Sequence, residues 1–447
     1  MAILTILFLV VNGAWFYKMG VMVDADTERF VLYASELKER GFFYKPHDFW
    51  YIGYVGFLLL VGMLSPKLEA VVLVQYAISY LALISLYDSS LRLCNNRFIA
   101  LITGACFLGF VMLPFWNLYL YAESLYISLT CLSMWFLIAM RNNRKGVESS
   151  EKKLFSGVAL FVLGSMIIGW TVLTRPTGVA MLVAVGAVAA YGVWKAEGYR
   201  KLKIGLLTFG VLGFILLLNQ MLSTFGFVED YQKGEVVYNI YKMAHMDYAK
   251  SLIIQAPENL YLPNSEDPAL WQFVSLILFN PLYSIQLFGT KLFYFLLYIR
   301  PYYSALHNLT ALAFLIPVYG LAIYGAARLK GYPAVFFWTY LTICTLSPTL
   351  LTIDWNSRFL MPMLPMVFLA AGGGVKGLIS HRVFDRPAFL RHFDTRSTPP
   401  SKSLSRAARR IGNRSAELPP PSFRPERSRV LARRGGEKSS HVQPSVK

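Results

Sequence analysis

The chain has 447 residues, of which 55% are apolar and only 15% are charged, and its mean hydropathy is +0.46. This composition excludes a soluble globular protein, which would need far more polar surface. The formal net charge is +18, and the segment from Ser380 to Lys447 supplies +11 of it, with 16 Lys and Arg against 5 Asp and Glu. Because most other basic residues lie in short loops between apolar runs, nucleic acid is not an expected partner.

Apolar runs of about 20 residues, the length that crosses a lipid bilayer as a helix, recur along the chain. We predict ten spanning helices, at 2–22, 68–91, 98–115, 122–140, 154–174, 177–194, 204–222, 305–327, 333–350 and 359–379. The four cysteines lie in or beside these runs without metal-ligand spacing, so we expect them to be small buried residues. The predicted fold class is an all-α polytopic integral membrane protein, with additional interfacial helices in the first and in the long outer loop.

The predicted orientation follows from the basic residues, which are enriched in cytoplasmic loops. Lys and Arg cluster in alternate loops, at Arg92 and Arg97, at Arg141, Arg144, Lys145, Lys152 and Lys153, at Lys195, Arg200, Lys201 and Lys203, and at Arg328 and Lys330. This alternation requires that the apolar run Trp50–Leu64 does not cross, and the run is also short for a span. We therefore predict that it lies on the outer face, within the outer segment Val23–Pro66, and that Ser223–Ser304 is a second outer segment.

The two ends of the chain have a different character. A cleaved signal peptide at Ala2–Val11 is disfavoured, because no basic region precedes it and no small-residue cleavage pattern follows. The C-terminal part is rich in Arg, Ser and Pro, so we predict a membrane domain at 1–380 and a disordered basic tail at 381–447. The tail either only aids solubility or is attracted to anionic lipid at the cytoplasmic surface.

Acidic residues crowd the end of the first predicted helix, at Asp24, Asp26 and Glu28. One interpretation is that they are solvated acids at the start of an amphipathic interfacial helix whose apolar side carries Phe30 and Leu37. The other is catalytic, because removing a proton from a hydroxyl group requires a carboxylate held close to it. The sequence alone leaves both interpretations open.

This segment resembles the GT-C superfamily of integral membrane glycosyltransferases, which take sugars from polyprenyl-phosphate carriers. That family places an acid just after the first helix, followed by an aromatic, a small residue and a glycine, and Phe30, Ala34 and Gly41 match those places after Asp26. The resemblance implies that Asp26 is the catalytic acid/base, with Asp24 as its neighbour. Thr27 departs from the pattern, because many members carry a second acid there.

Two further motifs lie at predicted outer helix ends. Glu123, in Tyr121-Ala122-Glu123-Ser124, is similar to the family's acidic start of a helix, and we include it among the catalytic candidates. Its alternative role is to stabilise the first turn through the helix dipole. Arg175, in Arg175-Pro176-Thr177-Gly178, is similar to an Arg-Pro turn of these enzymes, although Pro and Gly also serve simply to end helices.

Cationic candidates for substrate binding follow. Arg358-Phe359 and the two prolines after it resemble the family's entry to its last conserved helix, and a guanidinium can bind a lipid phosphate with two hydrogen bonds. Lys291 and Arg300 of the second outer segment could also meet a phosphate, and His47 of the first is a further substrate-binding candidate. For all these basic side chains, reaching to the membrane interface is the alternative.

The resemblance covers about residues 1–380 and implies an inverting transfer of a sugar from a polyprenyl-phosphate carrier to a glycan, lipid or protein acceptor. The expected location is the cell inner membrane, or the endoplasmic reticulum in a eukaryote, with the site on the extracytoplasmic side. No cofactor is required by the sequence, and a divalent metal is compatible with its acids. The alternatives are a transporter or lipid flippase, which would carry ionisable residues at the bilayer midplane, and a non-catalytic subunit of a glycan-assembly complex.

Overall fold

A computed structural model of the protein describes residues 1–143 and 150–384, and the predicted tail from 385 onward lies outside the described residues. The helices are α1 Ala2–Met19, α2 Ala25–Arg40, α3 Ile52–Leu64, α4 Leu68–Cys94, α5 Arg97–Gly109, α6 Met112–Phe115, α7 Ala122–Asn143, α8 Ser150–Thr174, α9 Val179–Lys195, α10 Arg200–Leu222, α11 Phe227–Gln232, α12 Asp247–Lys250, α13 Ala269–Phe279, α14 Pro281–Leu297, α15 Ala305–Ala326, α16 Tyr332–Leu350 and α17 Leu364–Phe384. In the described part of the chain, β-pairing is limited to isolated bridges, so the all-α prediction is confirmed.

Within residues 1–143 and 150–384, nine helices are long and apolar enough to cross a membrane, or up to eleven if two bent pairs each form one span. Eight of the ten predicted spans are among the nine. The predicted span at 98–115 forms a pair of helical segments bent by 57° after Gly109. The predicted span at 333–350 is the helix α16, which packs on α9 and is long enough to cross a membrane but is less apolar than the nine.

The helical segment that contains the run Trp50–Leu64 is longer than predicted. A 3₁₀ turn at Pro46–Tyr51 continues into α3, so that Pro46–Leu64 has the length and hydropathy of a span. The contacts of α1 with α4 nevertheless show that these two helices are antiparallel, because Thr5 bonds to the Tyr80 hydroxyl at 2.8 Å and Tyr76 donates to the Asn12 carbonyl at 3.2 Å. The end of α1 and the start of α4 therefore lie at one end of the bundle, and the chain between them leaves and returns there without crossing.

This end of the bundle, which we call the site end, is held together by a buried polar network. The Asn117 side chain donates to Asn12 Oδ1 at 3.1 Å and to Ser79 Oγ at 3.2 Å, and it accepts from Ser124 at 2.6 Å. Gln75 donates to the backbone carbonyls of Asn117 and Tyr119, both at 2.9 Å. Buried polar groups need such partners, and here they fix the loop that leads into α7.

Close helix contacts hold the other half of the bundle. A side chain at Gly325 of α15 would place its Cβ 2.0 Å from the Ala370 carbonyl of α17, so the two backbones touch only because glycine stands there. The helix α10 differs from α15 and α17, because none of its apolar stretch is buried inside the protein. Such a helix is stable only with lipid around it.

Because α1 and α4 are antiparallel, we expect residues 35 and 143 to lie on opposite sides of the membrane. The variant Ser35→Cys, in α2 at the site end, should react with a membrane-impermeant thiol reagent added outside cells, because the basic helix ends lie at the other end of the bundle. The variant Asn143→Cys, where α7 ends, should react only after the membrane is permeabilised. Labelling of the Asn143→Cys protein in intact cells, without labelling of the Ser35→Cys protein, would reverse the orientation.

Candidate functional site

Four segments from distant parts of the sequence meet at the site end. They are the first turn of α2, the start of α7, the turn after α8 and the loop before α17, and they bring Asp26, Glu123, Arg175 and Arg358 together. Arg358 Nη1 lies 2.7 Å from Asp26 Oδ2, although the two residues are 332 positions apart. The four motifs predicted from sequence therefore form one cluster.

Arg358 is the centre of this cluster. Its Nε lies 3.5 Å from Glu123 Oε1 and 3.9 Å from Asp354 Oδ2. Burial acts to lower the pKa of the guanidinium, but the three carboxylates of Glu123, Asp354 and Asp26 outweigh it and raise the pKa above its usual value. The Arg358 side chain is thus a permanent cation at this place.

The backbone of Arg358 is fixed by its own loop. The Asp354 carboxylate accepts hydrogen bonds from the backbone N–H groups of Asn356 at 3.0 Å and of Arg358 at 2.8 Å, and Ser357 between them has a φ of 51°. The buried Arg300 donates to the Asp354 carbonyl at 3.0 Å and to Ser357 Oγ at 2.8 Å. Arg300 was expected as a possible phosphate contact. In the structure it stabilises this turn through its hydrogen bonds to Asp354 and Ser357.

Asp24 and Asp26 have different surroundings. Asp24 is the N-cap of α2 and accepts from the backbone N–H groups of Asp26 at 3.0 Å and Thr27 at 3.4 Å, while Thr27 Oγ1 accepts from the Asp24 N–H. Thr27, which stands where a second acid was expected, thus completes a capping box with Asp24. Asp24 also lines the cavity described below.

Asp26 is held between two arginines. Besides Arg358, the Arg29 Nη2 group lies 3.4 Å from Asp26 Oδ1. Burial raises the pKa of this carboxyl, but the attraction of Arg358 and Arg29 is stronger in sum and holds the pKa below its ordinary value. Asp26 is therefore ionised at neutral pH and, while both arginines are in place, a weak proton acceptor.

Glu123 and Arg175 form a buried ion pair. Glu123 Oε1 and Arg175 Nη1 are 3.0 Å apart, and the side chains are only 3% and 2% exposed. Arg175 also lies over the Phe359 ring at 5.0 Å. The turn after Arg175 is tight, since a Cβ at Gly178 would lie 2.5 Å from the Val172 carbonyl. The Arg-Pro motif therefore both ends α8 and positions a charge.

Of the two remaining substrate-binding candidates, His47 lines the cavity and Lys291 does not. Lys291 is buried, and its Nζ donates to the carbonyl of Leu351, directly after α16, where a cation satisfies helix carbonyls. It does not line the cavity, so the expectation that it contacts substrate finds no support in its position. His47 does line the cavity, with its ring 5.0 Å from that of Phe225.

The cluster opens into a cavity of about 780 Å³. Its polar walls carry four acids, three arginines and several aromatic residues, namely Asp24, Asp26, Asp230, Asp354, Arg29, Arg175, Arg358, His47, Tyr51, Trp116, Tyr119, Tyr121, Tyr238 and Trp355. Ligand cavities are commonly 300–1,000 Å³. The cavity is therefore large enough for a sugar and a phosphate together.

Several buried polar atoms on this wall have no hydrogen-bond partner among the described residues. They are Arg29 Nε, His47 Nδ1, Trp116 Nε1, Arg175 Nε, Thr177 Oγ1 and Arg358 Nε. Buried donors are normally satisfied, so a group of unsatisfied donors requires an explanation. A phosphate that entered the cavity and displaced the carboxylates from the arginines would give the guanidinium groups further acceptor oxygens.

The acids do not assemble a metal centre. Within the described ranges no three His, Cys, Asp or Glu side chains are placed to share an ion. Asp26 is engaged by arginines, and Asp354 by arginine and backbone N–H groups. These residues do not fit a divalent metal held by the protein.

Two cavity residues were missed by sequence reasoning. Arg29 could have been found, because a residue three positions after Asp26 lies on the same face of a helix. Asp230 gave no signal, since it stands among other charged residues of a long loop. Its Oδ2 accepts from Thr352 Oγ1 at 3.1 Å.

Comparisons with protein-family models, with curated proteins and with solved structures found no match to this chain. The resemblance to the GT-C superfamily therefore stays a prediction from the motifs, and the function is argued from the site itself.

Proposed function

We propose that this protein is a membrane glycosyltransferase that moves a sugar from a polyprenyl-phosphate carrier to an acceptor. The observation that carries the proposal is that three arginines, Arg29, Arg175 and Arg358, line one cavity at the end of a bundle of membrane helices. A phosphate there would be held by charge-assisted hydrogen bonds, and guanidinium groups are well suited to bind it.

The surroundings of the cavity favour a lipid-linked donor. Met221 at the end of α10 lines the cavity. The apolar stretch of α10 is not buried by the rest of the protein. A polyprenyl chain could lie in the bilayer beside α10 while its phosphate reaches Arg358. A leaving group that stays in the membrane also gives a physical reason for building such an enzyme from spanning helices.

The reaction is a single displacement. The acceptor oxygen forms a bond to the anomeric carbon, the bond from that carbon to the phosphate oxygen breaks, and the electron pair leaves with the polyprenyl phosphate. Arg358, with Arg175 behind it, stabilises the negative charge that develops on the phosphate. A carboxylate takes the acceptor's proton. Asp26, the candidate from the sequence, could do so only after the phosphate has replaced it on Arg358.

The basic loops support an extracytoplasmic site. The basic residues at Arg92, Lys195 and Arg328 lie at the ends of α4, α9 and α15 that point away from Asp26. Under the positive-inside rule those ends face the cytoplasm. We therefore propose that the cavity faces the opposite side, where polyprenyl-phosphate sugars are used.

A transporter or flippase remains the second class considered. Such proteins usually bind their cargo at the bilayer midplane through broken helices or ionisable residues. In the described part of this chain the charged cluster lies at one end of the bundle instead, at helix starts and turns. A non-catalytic assembly subunit is separated from the proposal by activity of the purified chain.

The proposal can be tested in cells by deleting the gene and comparing lipid-linked sugars and surface glycans by mass spectrometry. We expect one polyprenyl-phosphate sugar to accumulate and the same sugar to be lost from one glycan, because the donor is no longer consumed. Complementation with wild-type protein should reverse both changes. Unchanged donor and glycan pools would contradict the proposal, whereas accumulation of a whole lipid-linked glycan would indicate a flippase.

A further inference from the structure

The ion pair of Asp26 with Arg358 raises a geometric difficulty for Asp26 as the base. In an inverting displacement the nucleophile enters on the face of the sugar opposite to the leaving group. In inverting glycosidases the two groups that serve these faces are about 6.5–9.5 Å apart. Asp26 and Arg358 are 2.7 Å apart. While it is paired with Arg358, Asp26 therefore lies beside the site of the leaving phosphate rather than across the sugar from it.

Asp230 is a cavity carboxylate with a more suitable position. Thr352 binds Asp230, Asp354 binds the backbone of Arg358, and only Ile353 separates Thr352 from Asp354. Ile353 forms an isolated parallel bridge with Val237, and two residues of extended chain span roughly 7 Å. Asp230 lies on the wall of the same cavity as the arginine cluster, and the charges that act on it are Lys291, Lys233 and Glu229 rather than the cluster arginines.

The position of Asp230 is well supported. Its neighbour Tyr231 hydrogen-bonds to Ser284 of α14 at 2.6 Å, and Tyr283 donates to the Tyr231 carbonyl at 2.8 Å. These bonds fasten the short helix α11 to α14. Asp230 Oδ2 is held by Thr352, whereas its Oδ1 makes no hydrogen bond to the described residues and is left for a ligand.

We propose that Asp230 accepts the proton of the acceptor hydroxyl, while Asp26 serves to hold Arg358 until the donor phosphate arrives. This inference rests on the proposed function and assigns a residue to its acceptor side. The acceptor oxygen bonds to the anomeric carbon, the polyprenyl phosphate leaves with the electron pair of the broken bond, and the acceptor's proton passes to the Asp230 carboxylate.

The charges around Asp230 agree with this role. Lys291 faces it from α14, Glu229 and Lys233 flank it on its own segment, and Glu235 lies beyond. Burial raises the pKa of Asp230 above its ordinary value, and the Thr352 hydrogen bond and Lys291 offset only part of this. Asp26 shows the opposite shift. Carboxylates whose pKa values are pushed apart in this way commonly divide acid, base and binding roles.

The first test uses Asp230→Asn and Asp26→Asn in detergent-purified protein, with a panel of polyprenyl-phosphate hexoses and pentoses as donors. Losing a positioned base costs about 10²–10⁴-fold in rate, and we expect that loss in kcat for Asp230→Asn. Its affinity for radiolabelled polyprenyl phosphate should stay that of the wild type. Asp26→Asn should change the affinity for polyprenyl phosphate. Its transfer rate should still fall at low pH as in the wild type, because Asp230 is still present to be protonated. Transfer by Asp230→Asn at the wild-type rate would overturn the inference but leave the proposed function standing.

The second test distinguishes a base from a structural residue. Thr352→Val removes the hydrogen bond that lowers the pKa of Asp230, so the pKa should rise. Because only the ionised carboxylate accepts a proton, the acidic limb of kcat/KM should move to higher pH. An unmoved limb would contradict the inference. If the wild-type protein neither transfers a sugar nor binds polyprenyl phosphate, the proposed function itself fails.

Discussion

Arg358→Lys is expected to lower sugar transfer roughly 10- to 100-fold, although it preserves the positive charge. A hydrogen bond to a charged group contributes about 1.5–3 kcal/mol, and about 1.4 kcal/mol corresponds to a tenfold change in rate. A compact ammonium cannot reproduce a two-pronged contact with phosphate. Arg358 also reaches Asp26 and Glu123 with two different nitrogen atoms, Nη1 at 2.7 Å and Nε at 3.5 Å, whereas lysine has a single nitrogen for both. The loss should be visible in the dependence of the rate on donor concentration.

The matched control for this variant is Arg328→Lys. Arg328 is exposed, follows α15 at the other end of the bundle, and donates only within its own neighbourhood, to the Tyr324 carbonyl at 3.2 Å and the Tyr324 hydroxyl. It should transfer sugar like the wild type. A normal donor dependence in Arg358→Lys, with normal membrane insertion, would reduce Arg358 to a residue that anchors the loop at the membrane interface.

Glu123→Gln is expected to destabilise the folded protein by about 3–5 kcal/mol, because it leaves the Arg175 charge buried without its partner. Glutamine keeps the shape of the side chain, so the change isolates the charge. Arg175 is 2% exposed and cannot recover its hydration. We expect a lower midpoint of thermal unfolding in detergent, measured by tryptophan fluorescence.

The control for the buried pair is Lys233→Met, which breaks the exposed pair of Lys233 with Glu229, 2.6 Å apart. Exposed ion pairs contribute little to stability, so its midpoint should not change. Equal midpoints for Glu123→Gln and the wild type would show that Arg175 does not depend on Glu123, and the account of this turn would have to change.

Much of the fold followed from sequence because hydropathy and helix length act locally. The length of the apolar runs predicted the spans. The alternation of basic loops predicted that the chain between α1 and α4 leaves and returns on the same side of the membrane. The length of the run Trp50–Leu64 was underestimated because a 3₁₀ turn at Pro46–Tyr51 extends it with polar residues. The helix at 333–350 was predicted although α16 is only weakly apolar, and in the structure α16 packs on α9.

The site followed from sequence only in part. Its four motifs were found, but the contact between Asp26 and Arg358 depends on the packing of α2 against the loop before α17, which no local pattern reports. For the same reason Lys291 was expected as a possible phosphate contact, yet it binds the carbonyl of Leu351 directly after α16. Asp230 owes its place to Thr352, which is 122 positions away in sequence.

Sugar transfer by the protein can be measured by incubating it, purified and in lipid nanodiscs, with polyprenyl-phosphate sugars and with membrane glycans from a deletion strain. The account predicts that one sugar passes to an acceptor with inverted anomeric configuration and that free polyprenyl phosphate is released in equal amount, with Arg358→Lys strongly impaired in the same assay. Wild-type protein that is folded, yet neither binds polyprenyl phosphate nor releases it from any donor, would contradict the account.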